Sequence, residues 1–207
     1  MLSSYDLYEI ENKLHAQGYK YVAGLDEAGR GSWAGPIYVG FVIFDKKYKN
    51  DKINDSKKLS KKTREILYDE IKKHALISQT FMIDVECVDK YNVKEASKYG
   101  MKELIINSNI KPDICLIDYE KIEINKMKTI SYTKGDEKCF SIAAASILAK
   151  VERDRYMENV HKKYPNYGFN RHVGYGTKLH SDMIKKYGII NNLHRKSFKP
   201  IIKLMSN

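Results

Sequence analysis

The sequence predicts a single α/β domain with a mixed central β-sheet flanked by helices, and three observations support this prediction. Apolar runs of strand length alternate with segments of helical spacing along the 207 residues. No Gly/Ser/Pro-rich linker divides the chain, whose length is sufficient for one well-packed domain. A long segment after residue 139 combines a helical pattern with many small residues, which let a helix backbone lie close to its neighbour.

The first elements are a helix and two strands. Apolar residues at helical spacing over 5–17 predict a short amphipathic helix. The apolar run 21–25 predicts a strand that ends in two adjacent carboxylates, Asp26 and Glu27. A second apolar run over 37–44 predicts a strand that is buried on both faces.

The loop between these strands carries the most informative residues. Gly29 and Gly31 frame Arg30, and glycines without a Cβ let the backbone approach a ligand closely. An ordinary hairpin turn uses the same residue types, so the pattern alone leaves both interpretations open. The adjacent Asp26 and Glu27 favour a site, because two acids at the end of a buried strand suit a hard divalent cation.

A charged loop, a helix and a strand follow. Lys57 and Lys58 in this loop suit phosphates, although a solvated charged face is the commoner meaning of such a run. Ser60 can cap a helix over 61–74, and the segment 75–85 reads as a third strand. The predicted inner face of the helix consists of Ile66, Leu67 and Ile71.

The next elements place a third acid at a strand end. Helical spacing over 93–109 predicts a helix, and the apolar run 114–117 predicts a short buried strand that finishes at Asp118. The segment 124–132 resembles a strand at the sheet edge. The residues of the helix predicted to face inward are Met101, Leu104 and Ile105.

The long small-residue helix is predicted over 139–162. Asp136 stands just before it, where a helix N-terminus favours an anion. A plain N-cap is an equally good interpretation of Asp136 on local grounds. From 151 to 155 the sequence becomes charged, and we expect the helix to leave the core there.

The C-terminal segment is rich in glycine and aromatic residues over 164–177 and is followed by a predicted helix over 178–187. Gly174 and Gly176 flank Tyr175, which predicts an uncovered ring that can stack on a base or sugar. Tyrosine is frequent in this chain, so packing remains the alternative for this residue.

Composition narrows the function classes. A formal charge of +11 and a pI near 9.3 suit a polyanionic partner, although they are weak evidence alone. The three cysteines have no metal-ligand spacing and are expected to be buried free thiols in a reducing compartment. No signal-peptide pattern or apolar run of membrane-spanning length is present, so we expect a cytoplasmic protein and no membrane partner.

The acids at element ends suggest the chemistry. Asp26, Glu27, Asp118 and Asp136 would repel one another unless cations neutralised them. Oxygen ligands without Cys or His are typical of Mg²⁺ or Mn²⁺, and two such ions can hydrolyse a phosphodiester. The residues alone therefore predict metal-dependent hydrolysis of a nucleic acid.

Four blocks of the sequence resemble the signature of type 2 ribonuclease H, ribonuclease HII. They are Asp26-Glu27-Ala28-Gly29-Arg30-Gly31 with Ala34-Gly35-Pro36, the segment 55–60, the segment 134–154, and Gly174-Tyr175-Gly176-Thr177 through 194–198. The resemblance implies a ribonuclease H-like fold in one catalytic domain, 1–207, with a C-terminal helical, substrate-binding part at about 165–207. It also implies an endoribonuclease that hydrolyses the RNA strand of RNA–DNA hybrids. Such an enzyme incises 5′ to ribonucleotides embedded in duplex DNA and leaves 3′-OH and 5′-phosphate ends.

The resemblance also implies residue roles. The catalytic residues, which would hold two Mn²⁺ or Mg²⁺ ions, are Asp26, Glu27, Asp118 and Asp136. The loop Gly29-Arg30-Gly31 would read the ribose 2′-OH, the mark that separates RNA from DNA. Tyr175 would stack on the adjacent deoxyribose, and Lys57 and Lys58 would contact phosphates.

Two features leave questions open. Ser32-Trp33 stands where the family commonly has Pro and a small aliphatic residue. Asp118 has no strong local motif, and Glu120 and Asp113 are competitors for its role. The Gly-Arg-Gly loop favours ribonuclease HII over ribonuclease HIII, which also carries an extra N-terminal domain for which this chain has no room.

Alternative functions are a non-catalytic nucleic-acid-binding module and another two-metal nuclease, such as a junction resolvase. The choice between Mn²⁺ and Mg²⁺ and the preference between hybrids and single ribonucleotides are open from the sequence. We expect a monomer. A sliding-clamp partner is not indicated, because residues 199–207 show no obvious clamp-binding tail.

Overall fold

A computed structural model describes residues 6–124 and 127–206. Within these residues five strands form one sheet, and helices cover both of its faces. The strands are β1 (Val22–Ala28), β2 (Ile37–Ile43), β3 (Ile77–Ile83), β4 (Ile114–Asp118) and β5 (Lys128–Tyr132). The helices are α1 (Glu9–Ala16), α2 (Lys61–His74), α3 (Val85–Asn107), α4 (Phe140–Lys163), α5 (Phe169–His172), α6 (Lys178–Tyr187) and α7 (Lys199–Met205).

The sheet is mixed, with strand order β3-β2-β1-β4-β5. The first three strands pair antiparallel, whereas β4 pairs parallel with both β1 and β5. The register places Leu25 opposite Ile117, so Asp26 and Asp118 follow at the same edge of the sheet. The predicted mixed α/β architecture is confirmed, and its parallel pair brings two distant acids together.

Two strand glycines let α4 lie directly on the sheet. A Cβ at Gly24 would lie 2.1 Å from the carbonyl carbon of Ser141, and one at Gly40 would lie 2.1 Å from the carbonyl oxygen of Ala145. Gly40 is the β2 partner of Asp26. The small residues of α4 therefore bring this helix against the strand segment that carries the first acid.

The helix α3 covers the opposite face of the sheet. The three residues predicted to face inward, Met101, Leu104 and Ile105, are buried there. The predicted start at residue 93 coincides with a break at Asn92, which has φ +65° and whose side chain accepts hydrogen bonds from the N–H groups of Lys94 and Glu95. The prediction missed only the helical segment before this kink, which begins at Val85. Because the positive φ of Asn92 interrupts the helix, the segment before it does not continue the helical spacing of the predicted one.

Other predicted element assignments also differ from the structure. Ile66, predicted to face the core, is 55% exposed, and Tyr68 is buried in its place. The strand predicted over 75–85 is β3, which ends before Val85. The predicted edge strand begins at Lys128, and residues 125 and 126 lie outside the described residues.

The predicted exit of the long helix from the core was wrong. Arg153 is fully buried, and Asp154 is 7% exposed. The helix continues as far as Lys163, and its second half shares an apolar cluster with residues of α5, α6 and α7. The apolar cluster there includes Ala34, Met157, Phe169, Ile184 and Ile201.

The cysteines are free, with Cys115 and Cys139 buried and Cys87 partly buried. Along the described part of the chain, no helix has the length and apolar character needed to cross a membrane.

The short helix α1 is fastened to α4 by a buried carboxylate. Oε1 of Glu11 accepts hydrogen bonds from the Ser141 N–H and the Ser141 hydroxyl, both at 2.7 Å. Burial nevertheless raises the pKa of Glu11 from 4.5 to about 7. The folded protein therefore binds a proton at this site more tightly than the unfolded chain does.

We expect the Glu11→Gln variant to be more stable than the wild type at pH 8, by about 2 kcal/mol. Glutamine keeps the acceptor for Ser141 and removes the charge. Because the folded pKa is raised, the wild type loses stability as the pH rises from about 4.5 through about 7. Urea unfolding of both proteins at pH 5 and pH 8 tests this, since the advantage should be much smaller at pH 5. A variant that is less stable at pH 8 would show that the N-terminus of α4 favours the ionised carboxylate.

Candidate active site

Four carboxylates from three parts of the fold meet at one edge of the sheet. Asp26 and Glu27 lie near the end of β1, and Asp118 ends β4. Asp136 lies in a 3₁₀ turn, Gly135–Glu137, before α4. The Gly135 N–H donates to Oδ1 of Asp118 at 2.6 Å, which joins this turn to the strand.

The alternative interpretation of Asp136 as the N-cap of α4 was wrong. The N-cap is Cys139, and its side chain makes no capping hydrogen bond. Asp136 is 2% exposed and accepts a hydrogen bond from Nζ of Lys57 at 2.9 Å. Its carboxylate therefore belongs to the acidic edge of the sheet.

Burial raises the pKa of three carboxylates at this edge, Asp26, Glu27 and Asp118. Burial raises the pKa of Asp26 well above its ordinary value, and repulsion from Glu27 and Asp118 adds to the shift. Burial also raises the pKa of Glu27 to about 7, although Arg30 opposes the change. The pKa of Asp118 is raised by burial despite the hydrogen bond from Gly135. Positive charge placed among these acids would therefore favour their ionised forms.

Two positively charged side chains, Lys57 and Arg30, lie at the exposed border of this group of acids. Nζ of Lys57 contacts Asp136, and Nη1 of Arg30 lies 3.1 Å from Oε1 of Glu27. The same Arg30 nitrogen lies 2.7 Å from Oε1 of Glu120. Lys57 and Arg30 remain 75% and 31% exposed, so both can move without opening the core.

The donor set fits a hard divalent cation. It consists of carboxylate oxygens, the ligands that Mg²⁺ and Mn²⁺ prefer. Oε2 of Glu27 is buried without a hydrogen-bond partner, an acceptor that a bound cation would satisfy. Across 6–124 and 127–206, no three acidic, His or Cys side chains already surround a single ion position. Lys57 and Arg30 face two of the acids in the present arrangement.

The glycine loop, residues 29–36, is not a simple hairpin turn. The Ser32 N–H donates to the carbonyl of Gly29, and the Trp33 N–H donates to the carbonyl of Gly174 at 2.8 Å. Ser32 also forms an isolated β-bridge with Tyr175. The loop is therefore tied to the C-terminal part of the chain.

Tyr175 lies beside this loop with a partly exposed ring. The ring is the nearest group to a Cβ built at Gly31, at 4.0 Å, and Tyr175 is 37% exposed. The next glycine has a packing role, because a Cβ at Gly176 would lie 2.0 Å from the ring of Trp33. Trp33 thus supports the backbone that carries Tyr175.

One cleft of about 260 Å³ is lined by Asp26, Glu27, Asp118, Lys57, the loop residues 29–31 and Tyr175. Asp136 is not part of its lining and reaches it through the contact with Lys57. The walls of the cleft include three residues that the sequence analysis missed, Ser56, Ser146 and Lys150. The hydroxyls of Ser56 and Ser146 lie 2.9 Å apart, and Nζ of Lys150 lies 2.7 Å from Asp154. The spacing of four residues between Ser146 and Lys150 on one helix face was the available signal.

Some predicted residues lie elsewhere. Lys58 is outside the cleft wall and pairs with Glu137 at 3.1 Å. Asp113 precedes β4 at its opposite end, where it accepts hydrogen bonds from the N–H groups of Lys20 and Tyr21. Asp113 is therefore no competitor for the position of Asp118, and Glu120 instead holds Arg30.

Comparison with known proteins gives one consistent result. The family model described as Ribonuclease HII matches residues 23–201. A Ribonuclease HII from Mycoplasma mycoides subsp. mycoides is 50% identical over 185 residues, which cover 89% of this chain and 89% of the relative.

Solved structures agree with the sequence relatives. The ribonuclease H2 of Pyrococcus horikoshii superposes with a TM-score of 0.78 at 25% identity, covering 90% of this chain and 97% of that chain. A ribonuclease HII of Archaeoglobus fulgidus, solved as a complex with PCNA, gives a TM-score of 0.70 at 28% identity. That match covers 84% of this chain and 92% of the other. The chain therefore belongs to the ribonuclease HII family, and it is an enzyme with the ribonuclease H fold.

Proposed function

We propose that this protein hydrolyses the RNA strand of RNA–DNA hybrids and incises duplex DNA on the 5′ side of an embedded ribonucleotide. The observation that carries the proposal is the shared cleft, in which buried carboxylates face a glycine loop and a half-exposed tyrosine. An acidic centre in a chain of net charge +11 suits a phosphodiester bound through metal ions. The products are a 3′-OH and a 5′-phosphate.

We propose that Asp26, Glu27, Asp118 and Asp136 hold two divalent ions, Mn²⁺ or Mg²⁺. Such ions would activate a water molecule and stabilise the leaving oxygen. The carboxylates fix the sites because they lie on strand ends and a turn, which leave them little freedom. Arg30 restrains Glu27 on its outer side, and the exposed Lys57 would leave Asp136 to make room for a cation.

The loop and Tyr175 give the specificity. Gly29, Arg30 and Gly31 read the ribose 2′-OH at the junction, since that hydroxyl distinguishes RNA from DNA. Tyr175 stacks on the next sugar, and its position 4.0 Å from the Cβ site of Gly31 supports adjacent binding of two nucleotides.

Positive residues around the cleft hold the phosphates. Lys57 borders the cleft and reaches its acids, which supports a phosphate contact beside the cut. Lys58 points toward Glu137 and would contact a phosphate farther along the strand. The C-terminal part, about residues 165–207, extends the substrate-binding surface within one catalytic domain. The cytoplasmic location and the monomeric state stay predictions, and the sliding-clamp complex of the Archaeoglobus relative is a property of that protein.

The test uses a labelled DNA duplex with one ribonucleotide, incubated with Mn²⁺ or Mg²⁺ beside an all-DNA duplex and a long RNA–DNA hybrid. We expect one cut immediately 5′ to the ribonucleotide and no cut in the all-DNA duplex. Cleavage of the hybrid alone would make the junction roles of Arg30 and Tyr175 wrong. Cleavage of branched all-DNA substrates would favour a junction resolvase, and binding without cleavage would favour a non-catalytic module.

A further inference from the structure

Two buried arginines lie beneath the glycine loop. Arg153 on α4 and Arg195 before α7 are both 0% exposed. Within the described ranges neither makes an ion pair, and the neighbouring Asp154 pairs with Lys150 and Arg64 instead. Burying a guanidinium without a paired acid lowers the stability of the fold. Another role of these two arginines follows from their hydrogen bonds.

The partners of Arg195 are carbonyl groups of the loop. Its Nη1 donates to the carbonyl of Arg30 at 2.8 Å. Its Nε and Nη2 donate to the carbonyl of Gly35 at 3.0 and 2.8 Å. The planar guanidinium of Arg195 therefore binds carbonyl groups near both ends of the loop, from the side that faces the protein interior.

Arg153 completes the support from α4. Its Nε donates to the carbonyl of Pro36 at 3.2 Å, and its Nη2 donates to the Ser32 hydroxyl at 2.7 Å. A Cβ at Gly29 would lie 2.1 Å from Nε of Arg153. The absence of a side chain at Gly29 therefore makes room for the arginine below the loop.

These contacts determine which way one peptide group faces. In a planar trans peptide the C=O of one residue and the N–H of the next point in opposite directions. Arg195 draws the carbonyl of Arg30 inward, so the N–H of Gly31 faces outward. Gly31 lines the cleft, so an outward N–H at this residue would be available to a strand bound there.

We propose that Arg195 and Arg153 are positioning residues that hold the loop so that the Gly31 N–H is aimed at the ribose 2′-OH. The inference rests on the proposed function, because it assigns the origin of the ribose selectivity. The arginines do not touch the substrate; they fix the carbonyl side of the loop, and the amide side is left free to bind. Their uncompensated charges also favour a phosphate above the loop.

Arg195→Lys tests this, because lysine keeps the charge and one donor but loses the planar fork. Fluorescence anisotropy measures the Kd of the protein for a DNA duplex with one ribonucleotide and for the all-DNA duplex, with Ca²⁺ present to limit cleavage. We expect the ratio of the two Kd values to fall about tenfold in the variant, the effect of one lost hydrogen bond. Affinity for the all-DNA duplex should change little. In steady state with Mn²⁺, KM for the ribonucleotide duplex should rise more than kcat falls.

Arg155→Lys is the matched control, since Arg155 lies on the same helix and pairs with Glu65 away from the loop. Its Kd ratio should equal that of the wild type. Arg153→Lys is a second variant, and thermal unfolding shows whether each protein is folded. A folded Arg195→Lys or Arg153→Lys protein with the wild-type ratio of the two Kd values would overturn this inference and leave the proposed function unaffected. A wild type that binds both duplexes equally would overturn the proposed function and the inference together.

Discussion

Replacing Asp26 with asparagine is expected to lower the rate of cleavage by about 10³-fold or more. Asp26 is 4% exposed, and it adjoins the other three acids, so its carboxylate can contribute to both proposed cation sites. Asparagine has nearly the same shape but offers one neutral oxygen. A labelled duplex with one ribonucleotide, in saturating Mn²⁺, gives the rate.

Asp26→Asn should also stabilise the folded protein when EDTA removes divalent cations. Burial and the neighbouring acids raise the pKa of Asp26 far above 3.8, so folding must either ionise a poorly solvated acid or bind a proton. Because the folded pKa is raised, this cost grows as the pH rises above about 4. Asparagine removes it, and we expect Tm in EDTA at pH 8 to rise by about 2–4 °C for each kcal/mol relieved.

Addition of Mn²⁺ completes the comparison. The wild type should gain Tm with Mn²⁺ because binding to the folded state stabilises it, whereas Asp26→Asn should gain much less. Asp113→Asn is the control, since Asp113 accepts backbone hydrogen bonds at the far end of the sheet. It should keep its activity and its response to Mn²⁺. An Asp26→Asn protein that cleaves at the wild-type rate would show that the carboxylates do not hold the catalytic cations.

The sequence predicted the acids that the strands bring together. The apolar runs that become β1 and β4 each end in acids, and strand ends of a parallel pair meet by geometry. The position of Asp118 beside Asp26 thus follows from a local pattern together with a topological rule. Asp136 was harder to assign, because its turn before α4 resembles a cap in sequence.

The sequence did not predict what lies under the loop. Arg153 belongs to a charged run that local rules assign to the surface, yet it is fully buried. Its partners are the hydroxyl of Ser32 and the carbonyls of Ala34 and Pro36, more than a hundred residues away in the chain. Every residue has a backbone carbonyl, so the sequence does not indicate which carbonyls a buried side chain will bind. A buried arginine that binds them is therefore indistinguishable from an exposed one until the fold is known.

A second large effect is expected on stability rather than catalysis. Gly40→Ala would place a methyl group 2.1 Å from the backbone oxygen of Ala145, where no side chain can move aside. Either β2 or α4 must shift, and we expect a loss of at least about 3 kcal/mol. Tm should fall by about 6–12 °C, as measured by circular dichroism. A wild-type Tm would mean that the helix tolerates a greater distance from the sheet.

Gly31→Ala is the matched substitution with the opposite expectation. Its Cβ would meet only the ring of Tyr175, at 4.0 Å, so the folded protein should keep a Tm close to that of the wild type. The added methyl group would nevertheless stand in the cleft where we propose that the ribose binds. Cleavage at a single ribonucleotide should therefore fall although the fold is intact. If both alanine variants instead lose stability equally, Gly31 serves the fold, and the ribose selectivity must come from Arg30 and Tyr175.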